Sequence, residues 1–117
     1  MNNEIEYYNA STGAVGPGGM TEKSIPLQPV VLVLPNTQTV RENQTATFHC
    51  SANGNPQPTV TWTKVNGSLR DGSVKVGHGR RLDIIHPTFN DSGEYKCTAV
   101  NIQGRDEKIV KLIVGGE

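Results

Sequence analysis

Four side chains able to do nucleophilic chemistry fall within residues 86–97: His86, Asp91, Ser92 and Cys97, the last three inside the run NDSGEYKC. A hydroxyl or thiol near a histidine and a carboxylate is the starting material of acyl transfer. That chemistry also needs a base oriented by a buried acid, and donors for the oxyanion. The sequence signals neither. A metal centre fares no better, because Cys50 and Cys97 cannot complete a four-ligand zinc site and His49, His78 and His86 show no ligand spacing with them. Paired carboxylates and a Gly-rich phosphate loop are missing too. The expectation is a non-catalytic chain with no cofactor, no metal and no small-molecule substrate.

What, then, positions these residues? The chain has 117 residues, enough for one small domain and some tail. Its 11 basic and 11 acidic residues cancel, which argues against nucleic acid as a partner. The longest apolar run, Val30–Leu34, is far shorter than the ~20 residues of a membrane helix. Any membrane attachment is therefore expected only through a longer parent chain. The first residues lack the basic start and apolar stretch of a secretion signal. Residues 1–24 are broken by Gly13, Gly16, Gly18 and Gly19 and read as a flexible leader, a linker or a joined segment.

From Ile25 the pattern changes to short stretches of alternating polarity separated by Gly, Pro, Asn and Asp. Val30–Leu34, bracketed by Pro29 and Pro35, suits an edge strand that stops or switches sheets at Pro35. Further strands are expected at 38–42, 45–52, 59–65, 73–77, 80–85, 93–101 and 107–114. Ala46, Phe48, Cys50 and Ala52 share one face, as do Val60 and Trp62, Leu82 and Ile84, Tyr95, Cys97 and Ala99, and Val110, Leu112 and Val114. Seven or eight short strands with no amphipathic helix argue a β-sandwich over residues 25–114, with 115–117 as tail. One inward cysteine on each of two strands makes a single bridge across the core the simplest use of the pair, and such a bridge needs an oxidising compartment.

At this point the residues resemble the immunoglobulin superfamily, and within it the I-set. The match is Cys50, Trp62, Leu82-x-Ile84, Asp91-x-Gly93-x-Tyr95-x-Cys97 and Ala99-x-Asn101-x-x-Gly104, with AxGxPxPxVxW from Ala52 to Trp62. The resemblance implies an all-β sandwich of two antiparallel sheets with one disulfide between them. It makes NDSGEYKC scaffold: Tyr95 bonds back to upstream backbone, Asp91 caps a turn, Gly93 allows backbone that a side chain would obstruct, and Ser92 is an exposed turn residue. Between Trp62 and Leu82 there is room for one short extra strand, which separates the I-set from variable-type domains. Pro87 departs from the pattern, standing where an aliphatic residue is usual.

Four Asn-x-Ser/Thr sites, at Asn9, Asn43, Asn66 and Asn90, read either as N-glycan acceptors or as ordinary turn asparagines. Lys75, His78, Arg80 and Arg81 cluster on the expected 73–85 hairpin. They read as a sulfated-glycan (heparan sulfate) contact or, more plainly, as a solvated hairpin whose charges guard a sheet edge. Arg70-Asp71-Gly72 and Gly104-Arg105-Asp106 are scrambled integrin motifs and support no integrin contact. The N-terminal strand, with Ile109 and Ile113 on the last, offers surfaces for a protein partner, homophilic or heterophilic. The resemblance implies an extracellular recognition module of an adhesion molecule or receptor, the receptor tyrosine kinases included. The alternatives are a spacer module of a secreted matrix protein and, ranked last, an intracellular muscle-type domain.

Overall fold

The computed structural model describes residues 25–70, 73–77 and 79–115. Eight strands follow in chain order: β1 (Leu27–Leu34), β2 (Thr37–Arg41), β3 (Ala46–Asn55), β4 (Thr59–Lys64), β5 (Ser73–Val76), β6 (Arg81–Ile84), β7 (Gly93–Asn101) and β8 (Gly104–Gly115). They form two four-stranded sheets, ordered β1-β3-β6-β5 and β2-β8-β7-β4. Alternation decides which residues enter the space between them. Phe48, Leu82, Ala46, Ala99, Cys97 and Leu112 have no solvent exposure, and Trp62, Ile84 and Val110 almost none. Every residue expected to face inward does so. Phe48 lies at the centre, with its ring 6.1 Å from that of Trp62 and 6.3 Å from that of Tyr95, within the range of favourable aromatic pairs.

The Cys50–Cys97 disulfide joins β3 of one sheet to β7 of the other. Trp62 sits opposite Cys97 in the β4–β7 register, so its ring is held beside the bridge. Its buried indole N–H finds no acceptor among the described residues.

The expected sandwich of two antiparallel sheets is present, and it includes one parallel strand pair. The chain passes from one sheet to the other at Pro35–Asn36 without reversing, so β2 meets β8 in parallel, Thr37 opposite Lys111 through Arg41 opposite Gly115. The other strand pairs are antiparallel. One strand, β5, lies between β4 and β6 among the described residues.

The two sheets are also tied at their margins by side chains. Gln38 on β2 reaches β3, its amide nitrogen donating to the Thr47 carbonyl at 2.7 Å while its oxygen accepts from Thr47 N–H at 3.4 Å. Along the same β1/β2 margin Asp106 of β8 accepts the Val31 N–H of β1 at 2.8 Å. The β5–β6 turn is a close fit: Gly79 has φ +84°, and a Cβ there would lie 2.7 Å from the Val60 carbonyl oxygen, so glycine alone is accommodated.

Candidate functional site

The residues of NDSGEYKC build a pin beneath the β6–β7 crossover. Phe89–Asp91 form one 3-10 turn, and Asp91 is buried at its end. Its carboxylate accepts the Thr88 N–H at 2.9 Å and the Arg70 Nε–H at 3.0 and 3.2 Å. Arg70 uses a second nitrogen to donate to the Ile85 carbonyl at 2.7 Å, so one guanidinium ties the segment after β4 to both ends of the crossover. The Asp91 carbonyl in turn accepts the Tyr95 hydroxyl at 2.5 Å. Above the Tyr95 ring, 5.6 Å from its centre, lies Lys64 Nζ, which donates to the Asn90 carbonyl at 2.7 Å.

The electrostatics follow from this packing. Burial pushes the Asp91 carboxyl up, but the Arg70 hydrogen bond, the Thr88 N–H and the charges of Arg70 and Lys64 outweigh it and hold the group below its usual range. Tyr95 is pushed up to about 12, first by burial and then by the Asp91 charge. A phenol kept neutral and a carboxylate whose oxygens are committed to Arg70 and Thr88 make a structural lock.

Ser92 corrects the expectation of an exposed turn residue. It is half-buried, and its Oγ accepts the Val114 N–H of β8 at 2.9 Å. Pro87 is fully buried and fills the place of an aliphatic residue, while its carbonyl accepts the Asn43 N–H at 3.0 Å. His86, the potential base, is exposed with φ +53°. Among the described residues no cluster of His, Cys, Asp and Glu could hold a metal ion.

Two links had no signal in the sequence beyond their charge. Arg70 and Asp106, met above only as parts of scrambled motifs, anchor the pin and the β1 margin respectively. Val31 N–H, Glu107 N–H and Lys108 draw the Asp106 carboxyl below its usual range against a modest opposing effect of burial.

The other candidates lie apart from the pin. Asn43 and Asn66 are exposed and occupy the third position of β-turns, with φ +68° and +62°, closed by Gln44 N–H to Arg41 O at 3.1 Å and Gly67 N–H to Lys64 O at 3.3 Å. Left-handed backbone at that position favours glycine or asparagine, so each has a conformational reason to be there. Asn90 is exposed in the 3-10 turn, but its site shares Asp91 and Ser92 with the pin. Asn9 lies outside the described residues, as do residues 1–24.

Of the basic group, Lys75 pairs by backbone with Leu82, while its side chain and all of His78 lie outside the described residues. Arg80 donates to the Ala52 carbonyl at 3.2 Å and Arg81 to Asp83 at 3.3 Å. Both line a cleft of about 570 Å³ with His49, Ser51, Asn53 and Gln57.

The outer faces carry the apolar surface. Leu27, Val30, Leu32 and Leu34 of β1 are each between 55% and 63% exposed, while Val31 and Val33 on the other side of the same strand are buried. Beside them on β3 stand uncharged or weakly basic neighbours: Asn53, Ser51 and His49 oppose Val30, Leu32 and Leu34. On β8, Ile109 and Ile113 are exposed, but Lys111 alternates between them and Lys96, Glu107 and Arg105 form ion pairs alongside.

Comparison with known proteins adds a family to this geometry. The description "Immunoglobulin domain" matches residues 28–101. The chain is 37% identical over 107 residues to the mouse basement membrane-specific heparan sulfate proteoglycan core protein, covering 86% of this chain and 3% of that protein. It is 37% identical over 87 residues to rat cell adhesion molecule 2, covering 74% of this chain and 20% of the relative. A chimeric titin Z1Z2 structure superposes with a TM-score of 0.71 at 27% identity, over 80% of this chain and all of the other. The chain thus spans a small part of the curated relatives named here.

Proposed function

The chain belongs to the immunoglobulin family, and from that premise we propose that it is a non-catalytic recognition module of I-set form, working outside the cell. It takes a protein partner on a sheet face, not a small molecule in a pocket. The observation that carries this reading is β1. A strand apolar on both sides belongs where both sides are covered, yet here only the Val31–Val33 side is. Four large apolar side chains in one row on a small domain mark an interaction surface. Docking is by the face: Asp106 occupies the Val31 N–H on the open margin, which removes a donor that an added strand would need. The disulfide and the Asn-x-Ser/Thr sites support an oxidising, extracellular setting. Residues 25–114 make up the module in this reading. The partner is a second copy or another surface protein of an adhesion molecule or receptor.

Sedimentation equilibrium of the glycosylated chain tests the reading. A reversible dimer that Val30→Ser with Leu32→Ser weakens at least roughly tenfold fits removal of two buried apolar contacts. A monomer places the partner on another protein, whose binding the same pair must weaken. Binding untouched by the pair removes the β1 face from consideration, and leaves a spacer module of a secreted matrix protein as the better account.

A sulfated glycan at Arg80 and Arg81 is a second reading, favoured by their cleft, whose described lining holds no carboxylate. The Arg81–Asp83 pair opposes it by lowering the local positive charge. Retention on heparin that falls with salt and is lost in Arg80→Gln with Arg81→Gln supports this contact; retention that survives the pair eliminates it.

A further inference from the structure

The chain contains two Asn-Gly pairs in contrasting settings, Asn53-Gly54 and Asn66-Gly67. We propose that Asn66 is a site of spontaneous covalent modification, deamidation through a cyclic imide, and that the fold protects Asn53 from the same reaction. The Gly67 backbone nitrogen attacks Asn66 Cγ and forms the new N–C bond. The Cγ–Nδ2 bond breaks, and the departing nitrogen takes up the Gly67 amide proton and leaves as ammonia. Water then opens the five-membered ring at either carbonyl, giving aspartate or its backbone-shifted isomer.

The step needs a nucleophile free to approach and an asparagine free to rotate. At Asn66 both conditions are close to met. The residue is exposed, and its turn is closed by one long hydrogen bond, Gly67 N–H to Lys64 O at 3.3 Å. No side chain on Gly67 impedes the approach. At Asn53 the side chain is exposed too, but the backbone is held. Asn53 pairs with Val30 in the β1–β3 ladder. Gly54 is enclosed, its Cβ position lying 3.0–3.2 Å from Pro58, Asn101 and Pro29. Rotation at Asn53 therefore requires local opening of the ladder, which suppresses reaction by the population of the open state. Sequence alone ranks the two pairs equal, and only the fold separates them.

The modification adds a negative charge two residues from Lys64, and it destroys the Asn66 acceptor site. If Asn66 carries an N-glycan, as the extracellular reading allows, glycosylation and deamidation are competing fates of one side-chain nitrogen.

The experiment ages the full chain, made without glycosylation, at neutral pH and body temperature, then maps peptides by mass with an isoaspartyl assay. A portion unfolded in denaturant with its disulfide reduced gives the intrinsic rate of both pairs. The expected result is conversion at Asn66 faster than at Asn53 by roughly tenfold or more in the folded chain, with the two rates similar after unfolding. Gly67→Ala is expected to abolish most of the reaction without disturbing the fold, since the added Cβ makes only ordinary contacts of 3.7–4.0 Å with Lys64. Equal rates in the folded chain overturn the proposal, as does an Asn66 that stays intact when folded while the unfolded control converts.

Discussion

Replacing Cys50 and Cys97 together by alanine is expected to lower stability by about 4 kcal/mol in the chain-entropy description, given the 47-residue separation that the bridge spans. Small domains have only about 5–15 kcal/mol in total, so the variant sits near the threshold of folding at body temperature. Urea unfolding followed by Trp62 fluorescence reads the loss directly. The slope against denaturant separates two causes. An unfolded chain freed of its cross-link exposes more surface, so the slope rises if the disulfide acts on the unfolded state. A loss below about 1 kcal/mol with an unchanged slope would show that packing of Phe48, Trp62 and Tyr95 holds the sheets together without the bridge.

Asp91→Asn should be the second large effect, about 2–3 kcal/mol at neutral pH. It leaves the Arg70 guanidinium without its carboxylate and weakens the acceptor for Thr88 N–H. The value lies below that for a fully buried pair because the Arg70 side chain is 37% exposed. The pH dependence supplies a separate signature. Asp91 has a folded pKa below its unfolded one, so its stabilisation is present above the ordinary carboxylate value of about 3.9 and disappears as pH falls through the lower folded value. The variant should lack that part of the acid limb. Tyr95 sets an alkaline limb of the opposite kind: with the phenol raised to about 12, its share is complete below about pH 10 and is lost as pH climbs through the folded value. An acid limb identical in the wild type and Asp91→Asn would remove Asp91 from its assigned place in the lock.

Much of this architecture is legible from period-two alternation, because burial in a sandwich repeats with every second residue. Phe48, Trp62, Leu82, Tyr95 and Leu112 were assignable on that ground alone. What alternation cannot reveal is which polar side chain spans a gap between elements far apart in sequence. Arg70 and Asp91 are 21 residues apart, and Val31 and Asp106 are 75 apart; neither spacing has a period to detect. The place of Ser92 escapes a sequence reading for a related reason. A serine in a turn is usually solvated, and only the path of β8 past the 3-10 turn brings Val114 N–H to its hydroxyl. The candidate surface was half legible. Val30–Leu34 reads as apolar throughout, but its uncovered outer side becomes evident only once β1 is placed at a sheet margin.

The parallel meeting of β2 and β8 has a mechanical consequence. Strands near opposite ends of the sandwich's sequence run side by side in the same direction, from Thr37 beside Lys111 to Arg41 beside Gly115. A tensile load applied between the chain's two ends pulls β2 backward and β8 forward along a common axis. The hydrogen bonds between them are then strained together in shear, and they cannot be opened one after another as in the peeling of a hairpin. The Gln38 side chain, anchored on Thr47 of β3, carries part of the same load into the other sheet.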